Sequence, residues 1–142
     1  MNDHIVSTPA DFFGLVGQTR EIETMSEPSP TIARMMDEVG SSLPESHLNY
    51  ARADEELFAA YHEWRGAILD TGVIPRHYKL LMVVALMTAQ KSSDPLRVYA
   101  SIARSQGATA QELKEALRVG VLFSGGAGID AASHVADLIS ED

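Results

Sequence analysis

Three side chains stand where acid–base chemistry could be done. Lys79 leads directly into eight apolar residues, Leu80 to Met87. An ammonium drawn into such surroundings is desolvated, which lowers its pKa and makes it a base, a nucleophile or an anion clamp. Left at the edge, it only caps the apolar stretch and reaches water by its stem. Tyr99 falls on the apolar side of its segment, where a phenol either ties its hydroxyl to a carbonyl or returns a proton into a cavity. His77 opens the apolar stretch beside Tyr78 and Lys79. The other histidines are His4, His47, His62 and His134, and none pair at three or four residues, so a metal site on one helix is not expected. Gly125-Gly126-Ala127-Gly128 could rest an anion on free N–H groups, although a tight turn between helices is the ordinary use of such a sequence. Arg97, two residues from Tyr99, faces elsewhere and reads as a surface or interface charge. No phosphate-binding loop, dinucleotide fingerprint or His-Glu-x-x-His occurs.

Composition narrows the chemistry further. The chain has 142 residues, the size of one ordinary domain, with 45% apolar and 22% charged residues. It has no cysteine, which excludes disulfides, thiolate metal sites and redox chemistry through a protein thiol. A net charge of −9 argues against a nucleic-acid or anionic-membrane partner. Residues 1–70 carry 13 acids and 4 bases, whereas residues 71–142 carry 7 of each. The first half is therefore expected to be the more solvated, and the second to hold more of the core and the subunit contacts. The apolar run at 80–87 is too short to span a bilayer, and no basic-then-apolar leader opens the chain, so a cytoplasmic location is expected.

The elements that must position these residues are helices. No alternating strand pattern or hairpin dipeptide appears. Over 54–70, Leu57, Tyr61, Trp64 and Ile68 recur at helical spacing and are read as the buried face, with Asp54, Glu55 and Glu56 in the first turn and Gly72 as the stop. Pro75 fits the first position of the next helix, whose apolar body should be buried all round. The helices at 55–70 and 76–90 are expected to form an antiparallel pair. Asp94-Pro95 reads as an N-cap and first position, with Leu96, Tyr99, Ile102 and Ala103 inward and Gly107 as the stop. Thr109 and Glu112 form a capping box for a helix through Leu113, Leu117 and Val121. A last helix from about 129 uses Ile129, Ala132, Ala136 and Ile139. Residues 1–50, punctuated by prolines, form an arm folded over the core, with short helices at Asp11–Gly17 and Thr31–Val39.

The stretch 54–138 resembles the alkylhydroperoxidase D-like superfamily, which includes the carboxymuconolactone decarboxylases. The resemblance lies in Leu57 to Gly72, Lys79 to Met87, Ala103 to Leu117 and Val121 to Gly126, in that order and spacing. It implies an all-α bundle over residues 51–142 in a trimeric or hexameric homo-oligomer; the whole chain is expected to hold six to seven helices with a central antiparallel pair. Redox members carry Cys-x-x-Cys-x-x-x-His; counted back from Gly107, those positions fall here on Ser92, Pro95 and Tyr99. The family's assisting glutamate falls on Lys79, or on Leu80 if the register slips by one.

The expectation is thus a family pocket with rebuilt contents. It would be a cofactor-independent, metal-free lyase, decarboxylase or isomerase, and not a peroxidase. It would act on a small organic acid with Lys79, Tyr99 and His77 as its acid–base set. The rival is a non-catalytic ligand-binding or structural oligomer of the same fold, because function lives in the site and not in the fold. The two differ in whether those three side chains converge on one cavity.

Overall fold

The computed structural model describes residues 28–40 and 43–140. The arm helix expected at Asp11–Gly17 lies outside them. Among the described residues there are eight helices and no strand: α1 Pro30–Val39, α2 Glu45–Ala53, α3 Glu55–Leu69, α4 Arg76–Ala89, α5 Ser93–Ser105, α6 Ala110–Ser124, α7 Gly126–Ser133 and α8 Ala136–Ile139. The count exceeds the expected six to seven because α2 forms where no helix is expected and the last segment is broken at His134–Val135.

Local chemistry sets most of the helix ends. The Ser29 hydroxyl accepts from the Ile32 N–H at 3.3 Å and starts α1, with Pro30 at its first position. Asp54 caps α3 by accepting from the Leu57 N–H at 3.0 Å. The Thr109 hydroxyl accepts from the Glu112 N–H at 3.1 Å while the Glu112 carboxylate accepts from the Thr109 N–H at 2.8 Å, the expected capping box. Gly72, Gly107 and Gly125 all have positive φ and end or separate helices as expected. Two starts differ, α4 by one residue and α5 by two. Pro75 is the cap of α4 and not its first residue. Ser92 flanks α5, so Asp94 lies in the first turn and Pro95 sits third, where its missing N–H leaves no helical bond unmade.

The core centres on α4, α5 and α6. Val84, Leu96, Leu113, Leu117 and Val135 pack in one cluster, and Leu80, Ile102, Ala103 and Leu69 in the next. α4 and α6 approach to backbone contact at Gly120: a Cβ there would lie 2.5 Å from the Thr88 Cβ and 2.6 Å from the Ala85 carbonyl oxygen. The buried Thr88 hydroxyl is satisfied by the Val84 carbonyl at 2.8 Å. α4 gives most of its packing surface to α6 and α5, and α3 meets it only slightly. A third cluster, Ile32, Met35, Ala51 and Phe58, fastens α1 and α2 to α3.

Three expected faces are corrected. On α3 the stripe Leu57, Tyr61, Trp64 and Ile68 faces outward, with Trp64 63% exposed, and Phe58, Arg65 and Leu69 face inward. A neighbouring stripe one residue on has the same helical spacing, and that is the one α1 covers. α4 is not buried all round: Leu80, Val84 and Thr88 are enclosed, while Met82 and Leu86 are exposed. In the last segment Ile129 is exposed, and Ala131 and Val135 are buried instead. No helix among the described residues is long and apolar enough to cross a membrane.

Candidate functional site

The polar centre of the molecule is built around Arg65. Its helix presents Phe58, Arg65 and Leu69 on one face, and the helix spacing carries a charged residue into an otherwise apolar stripe. Arg65 is only 8% exposed. Its Nη1 donates to Glu38 Oε2 at 3.0 Å, its Nη2 to Glu38 Oε1 at 3.5 Å, and its Nε to the Tyr99 hydroxyl at 3.1 Å. The guanidinium also stands 5.2 Å from the centre of the Tyr99 ring. Burial works against the charge, but the bonds to Glu38 and Tyr99 outweigh it and raise the Arg65 pKa. Glu38 is shared with Arg76, which also binds Asp70 and donates from Nε to the Gln106 side chain at 2.8 Å. Glu38 thus faces two guanidiniums.

His62 lies beside this network without joining it. Its Nε2 is buried, has no hydrogen-bond partner among the described residues and stands 4.0 Å from Glu38 Oε2. Burial, then the Arg65 charge, lowers its pKa, so the imidazole is held neutral. Tyr61 is shifted upward, first by burial and then by its closeness to Tyr99.

Arg65 and Tyr99 line a cavity of about 250 Å³, together with Met35 and Val39 from α1, His47 from α2, and Val83 and Met87 from α4. A second, more open cavity of about 450 Å³ lies between α2 and α3, lined by Ser46, His47, Tyr50, Leu57, Phe58 and Tyr61. His47 and Tyr61 belong to both walls. Among the described residues no three histidine, aspartate or glutamate side chains gather as a metal-ligand set.

Of the three residues singled out from the sequence, only Tyr99 lines the cavity. The Lys79 ammonium donates to the Ile68 carbonyl at 2.7 Å and to the Thr71 carbonyl, closing the C-terminal end of α3. The last carbonyls of a helix have no partner inside it, and Lys79, in the first turn of α4, supplies the donor. His77 stacks against Tyr78 with ring centres 4.0 Å apart and influences Glu112 at the start of α6. The expected convergence of Lys79, Tyr99 and His77 is therefore replaced by a convergence of Tyr99 with Arg65 and Glu38. Arg65 was legible as the one charged member of the stripe Phe58–Arg65–Leu69; Glu38 carried no such signal. Arg97 binds Asp137 and donates to the His134 carbonyl at 3.2 Å, which fastens the C-terminal turn to α5 on the surface.

Residues 55–138 match the carboxymuconolactone decarboxylase family, and the chain belongs to that family. It is 29% identical over 96 residues to the 4-carboxymuconolactone decarboxylase of Acinetobacter baylyi, a match that covers 68% of this chain and 71% of that one. The fold is shared with a crystal structure of a candidate carboxymuconolactone decarboxylase from Burkholderia xenovorans LB400, with a TM-score of 0.61 and 24% identity over 74% of this chain and 85% of the other. Glu38 and His47 lie before the matched segment, as do Met35 and Val39, so one wall of this site comes from outside it.

Proposed function

We propose that the Arg65–Tyr99 cavity binds a small organic acid and performs a decarboxylation or related lyase or isomerase step by acid–base chemistry. The observation that carries this is the hydrogen bond from Arg65 Nε to the Tyr99 hydroxyl at the cavity wall. Because the Tyr99 oxygen accepts there, its own proton is free to be donated. The bonds to Glu38 and Tyr99 engage three of the five guanidinium N–H donors. Two remain for a substrate carboxylate.

The step follows from those roles. Arg65 holds and neutralises a carboxylate. As the C–C bond to the departing carboxyl group breaks, its electron pair stays on the substrate as an enolate and carbon dioxide leaves. The adjacent guanidinium stabilises the developing charge. Tyr99 gives its proton to the substrate carbon, and water restores the phenol. The absence of any cysteine removes the dithiol route of redox relatives. Membership of a decarboxylase family and the named activity of the Acinetobacter relative support the same reaction class.

A second reading rests on a specific observation. Glu38 already neutralises Arg65, as a purely structural ion pair would, and the fold would then serve as a non-catalytic binder. The test is carbon dioxide release from carboxymuconolactone and related unsaturated lactone acids. Turnover by the native chain, falling about 100-fold in Tyr99→Phe, is the expected result. Absence of release with every acid, while binding persists, would favour the binder.

We also propose that the chain works as a homo-oligomer. Met82, Leu86, Val119, Leu122 and Phe123 project from α4 and α6, and Phe123 is 81% exposed. Such a patch is rarely left to water. Light scattering reporting only a monomer at micromolar concentration would contradict this.

A further inference from the structure

We propose that the two cavities form one elongated site for an amphipathic carboxylate, whose acid group lies beside Arg65 and Tyr99 and whose apolar body passes His47 and Tyr61 into the groove between α2 and α3. This deepens the reading above and rests on its acid-binding half.

Three observations carry it. The cavities are not independent, since His47 and Tyr61 stand in both walls. Their characters are complementary: the cationic Arg65 lines the 250 Å³ cavity, whereas the 450 Å³ groove, lined by Tyr50, Leu57 and Phe58, has no charged side chain in its wall among the described residues. The inner cavity alone falls below the usual range of ligand pockets, about 300–1,000 Å³, and the groove brings the combined space within it. At the junction, His47 Nδ1 is buried and has no hydrogen-bond partner among the described residues, although the ring rests edge-on against Phe58 with centres 6.4 Å apart. An unsatisfied nitrogen is costly where nothing binds and useful where a ligand with a polar atom passes. The ligand class is therefore an aryl- or alkyl-substituted carboxylic acid longer than a compact lactone acid.

The test is calorimetric titration of the full chain with benzoate, 3-phenylpropanoate and 5-phenylpentanoate. Affinity is expected to rise about tenfold for each two methylenes added, as apolar length enters the groove. The alcohol 5-phenylpentan-1-ol should bind at least tenfold more weakly than the matching acid, because it offers Arg65 no charge. In Leu57→Glu, whose parent side chain is 53% exposed and dispensable to the core, benzoate affinity should hold and the gain with length should vanish. Equal affinity for benzoate and 5-phenylpentanoate would overturn the elongated site and leave the small acid site standing. If none of the acids binds, the acid-binding reading falls and this inference with it. An alcohol as tight as the acid would remove Arg65 as the anchor. A length gain unchanged in Leu57→Glu overturns the proposal as well, and a changed molecular mass in that variant would identify the groove as a subunit contact.

Discussion

The two sides of α4 are packed by different rules. On the α6 side the helices touch through small groups, Gly120 against Ala85 and Thr88, and the buried residues around them are almost wholly apolar. On the side facing α1 and α3 the same bundle buries a guanidinium, shares a carboxylate between two arginines and leaves two imidazole nitrogens without partners among the described residues. The 250 Å³ cavity, with Val83 and Met87 in its wall, lies on that second side, and the groove adjoins it through His47 and Tyr61. Close approach of two backbones leaves no room for a ligand. Long polar side chains meeting at their tips leave gaps, and their hydrogen-bond demands keep those gaps lined with usable donors.

The largest effect should come from violating the tight side. Gly120→Leu places a Cβ where 2.5 Å separates it from Thr88 and 2.6 Å from a backbone oxygen. Loss of more than about 3 kcal/mol is expected, the upper end for overpacking, read as collapse of the cooperative thermal transition. Survival of that transition near its native midpoint would show that the α4–α6 contact is softer than drawn.

Removing the buried cation should come next. Arg65→Met leaves Glu38 with only Arg76, and about 3 kcal/mol of destabilisation is expected in urea unfolding, the low end for breaking a buried pair. Adding Glu38→Gln should restore part of the loss, because the half-paired Glu38 charge disappears while Arg76 keeps Asp70. Strict additivity of the two changes would mean that they are not coupled.

Lys79→Met tests whether position in the family pattern or position in the fold decides a role. Two carbonyls at the end of α3 lose a donor, so stability should fall by about 1 kcal/mol while affinity for organic acids is unchanged. A loss of acid binding comparable to that of an Arg65 variant would return Lys79 to the site.

The smallest effect is a slope. The His62 pKa is lowered in the folded protein, so below the unfolded value near 6.5 the unfolded chain binds the proton more readily than the folded one. Stability should be full above that pH and decline as pH falls through it. Glu112 and Asp137, whose pKa values are also lowered, contribute their own losses only at more acid pH, through the carboxylate range. Melting temperature measured from pH 7.5 to 5 should flatten in His62→Phe. An unchanged slope would assign the decline to another group.

Much of the architecture is readable without coordinates. The helix at 110–124 follows from the capping box and the spacing of Leu113 and Leu117, both of which are buried. The stops at Gly72, Gly107 and Gly125 follow from the freedom of glycine at positive φ. Tyr99 is legible as a phenol on an apolar face, and it lines the cavity. The face of α3 is not legible, because Leu57–Tyr61–Trp64–Ile68 and Phe58–Arg65–Leu69 satisfy the same periodicity and differ by one residue of rotation.

What the sequence determined by itself is what depends on neighbours a few residues away: helix type, caps, stops and the absence of thiol chemistry. Tertiary structure decided which stripe of α3 faces inward, that Lys79 closes a helix end, and that Glu38 meets Arg65 across 27 positions of chain. Periodicity fixes a residue's angle around its own helix axis, but it carries no information about which angle another helix will cover. That choice belongs to the packing of the whole chain, where the desolvation of Arg65 is tolerated because Glu38 and Tyr99 arrive at the same point.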